Sequence, residues 1–269
     1  MVVNGTLEAP ESARRRGLPR FPTAGVHVPN RRAESNHRPT NRLLGSLPST
    51  EFERLRPELR TIPAPVKHLF YKAGAPIDFA YFPNAGVVSV TTVLGDGRMV
   101  EAATVGLEGM IGVEAVLSRS ARAQGHTMMQ VADDGSTVTM LQVSGLRALM
   151  KRNDEFADRL GRYAVAVLRQ SMHSTACNAL HHVRERCARW LLQTHDRVGV
   201  DRFQLSHEYL GTMLGVRRQS VTVVAGALQR AGLITYRQAI VQIRDRKGLE
   251  AASCECYGLI RKDFDALSL

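Results

Sequence analysis

The sequence contains no apolar run approaching the roughly 18 to 20 residues that a membrane span needs, and its N-terminus lacks the apolar segment of a secretion signal. No membrane partner is expected, and the expected compartment is the cytoplasm. Cysteine is scarce. Only four occur in 269 residues, Cys177, Cys187, Cys254 and Cys256, all in the last third, which excludes a disulfide-dense secreted scaffold and makes reduced thiols the expectation. A constellation for chemistry is also missing. There is no paired-carboxylate, metal-ligand or nucleophile pattern, and His181-His182 has no Glu-x-x-His-type partner, so the chain does not read as an enzyme and no cofactor is identifiable.

With 44% apolar residues the chain can fill one large or two modest cores, and its net charge of +11 is unevenly spread. Residues 1–42 carry 8 arginines against 3 acids and residues 181–269 carry 14 basic against 9 acidic groups, whereas residues 43–180 are near balance at 14 against 13. A basic C-terminal segment beside a neutral domain is the footprint expected of a nucleic-acid module attached to something else. Residues 1–42, with five prolines, the run Arg14-Arg15-Arg16 and no helical or alternating period, read as a disordered basic tail.

From Leu43 the pattern changes. A short helical stretch over residues 51–59 leads into strand signals at residues 66–71, 77–82, 87–94, 99–105, 125–132 and 136–142, punctuated by Gly and Pro. Asp96-Gly97 marks a hairpin, because Gly accepts the positive φ of a tight turn. Residues 43–150 are expected to form an antiparallel β-domain. After Val143 the period becomes helical, and Phe156, Leu160, Tyr163, Val167 and Leu168 form an apolar stripe along a long helix at residues 151–180, read as a dimer interface with Phe156, Leu160, Tyr163 and Val167 as its residues. A second helix follows at residues 183–195, with Cys187 and Trp190 as core.

Residues 205–222 have the grammar of a helix-turn-helix. Ser206 can cap a first helix, Glu208 suits its positive end, Gly211 is small where two helices approach, and Gly215 supplies the turn. The second helix opens with Arg217, Arg218, Gln219, Ser220 and Thr222, a polar face that core packing does not explain. Such a face fits double-stranded DNA: Arg pairs bidentately with guanine and Gln with adenine. Arg218 and Gln219 are the expected base readers, with Arg217, Ser220 and Thr222 divided between phosphate and base edges and Ser206 beside them. Residues 235–243 read as a two-stranded wing turning at Arg237-Gln238, where Arg237 could meet phosphate. A protein-interaction scaffold is the competing reading, disfavoured by the doubly basic start of the second helix.

These residues, with the exit Leu233-Ile234 and the tail Asp245-Arg246-Lys247-Gly248-Leu249-Glu250 followed by Cys254-Glu-Cys-Tyr257, resemble the Crp/Fnr superfamily of bacterial transcription regulators from about Leu43 onward. Tyr81-Phe82-Pro83, Asp96-Gly97-Arg98 and the run Val105 to Gly112 look like the family's cyclic-nucleotide-binding-type β-roll. The resemblance implies an α+β chain: an antiparallel β-roll at 43–150, a dimerisation helix at 151–180 and a winged helix-turn-helix at 181–269. It further implies a homodimer on an inverted repeat and, for a transcription regulator, RNA polymerase as a further partner. An effector pocket would be sought at Glu108, Gly109, Met110, Arg119 and Ser120, but Gly109-Met110-Ile111 stands where cyclic-AMP binders carry Gly-Glu-Leu, which argues against cyclic AMP. No cysteine precedes Cys177, against the iron–sulfur mechanism of the oxygen-sensing members. His68, His126 and His173 are lone histidines with no haem motif. Cys254 and Cys256 alone are too few for a closed metal site and read as packing thiols.

Overall fold

The computed structural model describes residues 39–269; residues 1–38, most of the stretch read as a basic tail, lie outside the described residues. The last residues of that stretch belong to the fold. Asn41 is buried, caps the first helix by accepting from Leu44 N, and donates to the carbonyls of Pro83 and Gly109. The β-domain therefore starts before Leu43, because a buried amide side chain needs these partners.

Helices α1 (Arg42–Gly45) and α2 (Ser49–Leu55), followed by a 3-10 turn at Arg56–Glu58, precede the strands. These are β1 (Arg60–Pro63), β2 (Leu69–Tyr71), β3 (Phe79–Pro83), β4 (Val87–Val93) and β5 (Met99–Val105), then the short helix α3 (Glu114–Leu117), β6 (Thr127–Val131) and β7 (Thr137–Gln142). They form two antiparallel sheets, ordered β1-β7-β3 and β2-β6-β4-β5. The Asp96-Gly97 turn closes β4 onto β5 with Val93 opposite Met99, Gly97 at φ +84°, and Leu94 N donating to Arg98 O at 2.8 Å. β1 was not readable beforehand, since its side chains are exposed or half-buried without alternation.

Helix α4 (Val143–Arg152) is separated from α5 (Asp154–Leu180) by Asn153, whose side chain accepts from Phe156 N and starts the long helix. The expected dimer stripe is corrected here. Phe156, Leu160 and Tyr163 are buried in the core beneath the β-roll with Leu146, Leu149 and Phe82, and Val167 packs on the same cluster. Leu168, the last residue of the expected stripe, lies instead on the opposite face with other exposed apolar residues: Val165, Leu168 and Met172 are 49, 60 and 62% exposed. The buried stripe was the more apolar one, so periodicity favoured it, but a helix beside a β-domain satisfies its own core first.

Helix α6 (Val183–Val198) ends at Gly199 in the left-handed region and carries the core residues Cys187, Trp190, Leu191 and Leu192. Then come β8 (Arg202–Gln204), α7 (His207–Leu214), α8 (Arg218–Arg230), β9 (Ile234–Arg237), β10 (Ile240–Ile243), α9 (Arg246–Ala251) and α10 (Cys256–Asp265). The wing is a three-stranded sheet, β8-β10-β9, rather than a bare hairpin; β8 is too short to have been read from its pattern. The two halves share one core. Val87 and Val131 of the β-roll pack with Trp190, Leu191 and Leu214, and buried Glu101 on β5 accepts from Trp190 Nε1 at 2.8 Å and from the Ser89 hydroxyl. No described helix is long and apolar enough to cross a membrane.

Candidate nucleic-acid interface

The α7–α8 pair is set by three small features. Ser206 caps α7 by accepting from Tyr209 N at 3.2 Å. Gly215 takes φ +64° at the C-terminal end of α7, which a residue with a Cβ adopts only at a cost. A Cβ on Gly211 would lie 3.0 Å from the Val216 carbonyl, a tight contact that glycine avoids where the turn passes close. Leu210, Leu214 and Val221 lock the pair from beneath. Helix α8 therefore has its apolar side committed, and its first turns stand free of the core.

On that free side Arg217 is the N-cap residue of α8, and Arg217, Arg218, Gln219 and Thr222 are exposed while Ser220 is half-buried. The four exposed side chains share the start of one helix, as the sequence led us to expect. Ser206 is occupied as a cap and Thr222 is already engaged, its hydroxyl 3.1 Å from His207 Nδ1 and donating to the Arg218 carbonyl at 3.2 Å. Arg237 is exposed at the end of β9, and the wing turns one residue later than expected, at Gln238 and Ala239, both at positive φ (50° and 59°). Leu205 N donates to the Ala239 carbonyl at 2.7 Å and steadies this tip.

Sequence reading missed the residues that join the helix pair to the wing. The His207 ring meets Tyr236 edge-on, 4.4 Å between centroids, and Tyr236 OH donates to the Leu205 carbonyl at 2.7 Å. Burial and the neighbouring Arg218 cation lower the His207 pKa, disfavouring the charged form of its ring. Arg218, Glu208, His207, Tyr236 and Gln238 line one concave surface between α7, α8 and the wing. Val223 on α8 is an apolar side chain 69% exposed beside Thr222.

The proposed effector residues are not brought together. Glu108 pairs with Arg197 Nε at 2.8 Å and accepts from Gly106 N, both side chains being largely buried. Gly109 lies beneath Tyr163, where a Cβ would come within 2.4 Å of the ring, and Tyr163 OH donates to the Met110 carbonyl at 2.9 Å. Met110 is a core side chain, whereas Arg119 and Ser120 are exposed, Arg119 lining a separate groove between α3 and α4. The pocket reading is thus corrected: the roll's polar groups there are used internally.

Residues 185–252, which span α6 to the end of α9, match the family described as a Crp-like helix-turn-helix domain. The chain contains a Crp-like helix-turn-helix domain. Its fold is similar to FixK2 from Bradyrhizobium japonicum (18% identity, TM-score 0.62, covering 73% of this chain and 98% of that one). It is also similar to CLP, the c-di-GMP-responsive global regulator of Xanthomonas campestris (17%, 0.59, 73% and 99%). A third similar structure is a CRP-family transcriptional regulator of Thermus thermophilus (25%, 0.58, 72% and 96%). No curated protein matches the chain by sequence. The residues matched by the Crp-like helix-turn-helix family contain the whole helix pair and wing described above.

Cys254 and Cys256 are not two thiols alone: Cys177 and His181, from the end of α5, join them. Proximity in space across 77 residues of sequence had no local signal.

Proposed function

We propose that the protein is a DNA-binding transcription regulator that acts as a homodimer on an inverted-repeat operator. The observation that carries this reading is the exposed quartet Arg217, Arg218, Gln219 and Thr222 at the start of α8, on a helix whose opposite side is fixed in the core. Inserted N-terminus first into a major groove, α8 would bring Arg218 and Gln219 to base edges, with Arg217 and Arg237 flanking them at phosphates. The CRP-family name of the Thermus protein and the regulator role of CLP support the same reading.

The second copy packs along the outer face of α5. Val165, Leu168 and Met172 recur at spacings of three and four, the pattern of a two-helix seam, and leaving all three in water is costly. Half-sites then lie about 10 to 10.5 base pairs apart, or a multiple of that. RNA polymerase is the expected partner at the promoter. The effector is not cyclic AMP, since Glu108 is held by Arg197 and Met110 presents no carboxylate to a ribose. Random-oligonucleotide selection with the purified chain, run with and without cyclic AMP, tests this. An inverted repeat enriched equally in both is expected; enrichment only with nucleotide refutes the effector statement, and no motif refutes the regulator reading.

A further inference from the structure

Four metal-ligating side chains converge where α5 ends, α6 begins and the C-terminal tail returns. Cys177 and His181 are four residues apart, which puts them on one face of the last turn of α5. Cys254 lies in the turn after α9, and Cys256 opens α10. Cys177 Sγ lies 3.5 Å from Cys254 Sγ, Cys256 Sγ lies 3.7 Å from His181 Nδ1, and all four donor atoms fall within 4.8 Å of one another. A tetrahedral zinc-class ion with Zn–S of about 2.3 Å and Zn–N of about 2.0 Å requires edges of about 3.8 Å between sulfurs and about 3.6 Å between sulfur and nitrogen. The distances match a single ion. A polynuclear iron–sulfur cluster, with several irons and sulfides inside its ligand shell, needs a wider cage.

The surroundings fit as well. With Nδ1 turned to the thiols, His181 Nε2 lies 3.2 Å from the Glu255 carboxylate, the carboxylate–histidine arrangement that orients metal-bound imidazole. The three thiols are buried. Close by is buried Arg189, whose Nε has no partner and whose charge acts on Cys177, Cys254 and Cys256 alike. A divalent ion held by three thiolates and a neutral imidazole leaves a net charge of −1, which this cation offsets.

We infer that Cys177, His181, Cys254 and Cys256 bind one zinc-class divalent ion that ties the C-terminal tail to the junction between the long helix and the helix-turn-helix domain. Binding releases the thiol protons to solvent and changes no oxidation state. Besides the ion, α10 is held by its packing on α5 and α6, by the Arg169–Asp263 ion pair and by Tyr257 OH, which donates to Asp196 and accepts from Arg246.

The test uses the full chain purified under reducing conditions from zinc-supplemented medium. Metal analysis is expected to give one zinc per chain, and cobalt added after chelation is expected to give the visible bands of a tetrahedral, sulfur-rich site. C254S is expected to lose both. Because that variant could fail to fold, H181C is the second arm: it should keep one equivalent and shift the cobalt bands toward an all-sulfur site. A folded wild-type chain with no zinc and no cobalt bands overturns the assignment, as does an iron–sulfur chromophore, a Cys177–Cys254 disulfide in the reduced preparation, or H181C bands identical to wild type.

Discussion

The β-roll and the winged domain are built from similar polar residues, yet they use them in opposite ways. In the roll, Glu108 is paired with Arg197, Glu101 with Trp190 and Ser89, and Tyr163 fills the space over Gly109. In the winged domain, Arg217, Arg218 and Gln219 point away from everything the fold needs. A polar group that completes a buried network specifies the structure, whereas one left free at a helix start is available to a ligand. The contrast extends to α5, one face of which is core and the other an apolar surface facing solvent.

The most severe way to break the comparison is to remove the partner copy. Leu168→Glu with Met172→Glu places charges on the outer face of α5 while leaving Phe156, Leu160 and Tyr163 untouched. Sedimentation should show a folded monomer, and affinity for a two-half-site operator should fall roughly 10²- to 10⁴-fold as joint binding is lost; an unchanged dimer would return the seam to another face.

Next in size is the link between the halves. Arg197→Ala leaves Glu108 buried without its cation and removes the hydrogen bonds from Arg197 to the Thr104 and Gln193 carbonyls. Urea denaturation should show a loss of about 3 to 5 kcal/mol, the usual cost of breaking a buried pair from one side. A loss below about 1 kcal/mol, the range of exposed pairs, would mean that the pair is solvated and the two halves are only loosely joined.

A smaller effect is expected at Glu101. Burial pushes its pKa up to about 7 from the ordinary 4.5, outweighing the hydrogen bonds from Ser89 and Trp190 and the charges of Arg189 and Arg197. The folded state holds this proton more tightly than the unfolded chain. Its contribution is therefore greatest below pH of about 4.5, declines as the pH rises to about 7, and is level above that. E101Q keeps an oxygen for Trp190, so the difference in melting temperature between the two proteins should grow through that pH window in favour of the variant. A constant difference would remove Glu101 from the titrating groups.

How much of this was legible in the sequence depended on how local the deciding physics was. The helix-turn-helix was readable almost residue by residue, because a cap at Ser206, a left-handed Gly215 and a close approach at Gly211 are consequences of neighbours in sequence. The Asp96-Gly97 hairpin was readable for the same reason. The division of α5 into core and outer faces was not, since Tyr163 is buried by a long-range hydrogen bond to Met110 and Val165 is exposed only because the roll lies on the other side. The effector residues failed for a similar reason: Glu108 is claimed by Arg197, 89 residues away. The cysteine cluster likewise needs the fold to bring Cys177 to Cys254.

The contrast between free and committed polar groups is tested most directly by measuring sequence preference and affinity side by side for the wild type, Arg218→Ala and Arg237→Ala on the selected operator and its single-base variants. If α8 reads bases and the wing grips phosphate, Arg218→Ala costs about 1 to 3 kcal/mol and relaxes preference at one position per half-site, while Arg237→Ala weakens every sequence alike. If Arg218→Ala changes neither affinity nor preference, the exposed start of α8 is not the reading surface and the account fails.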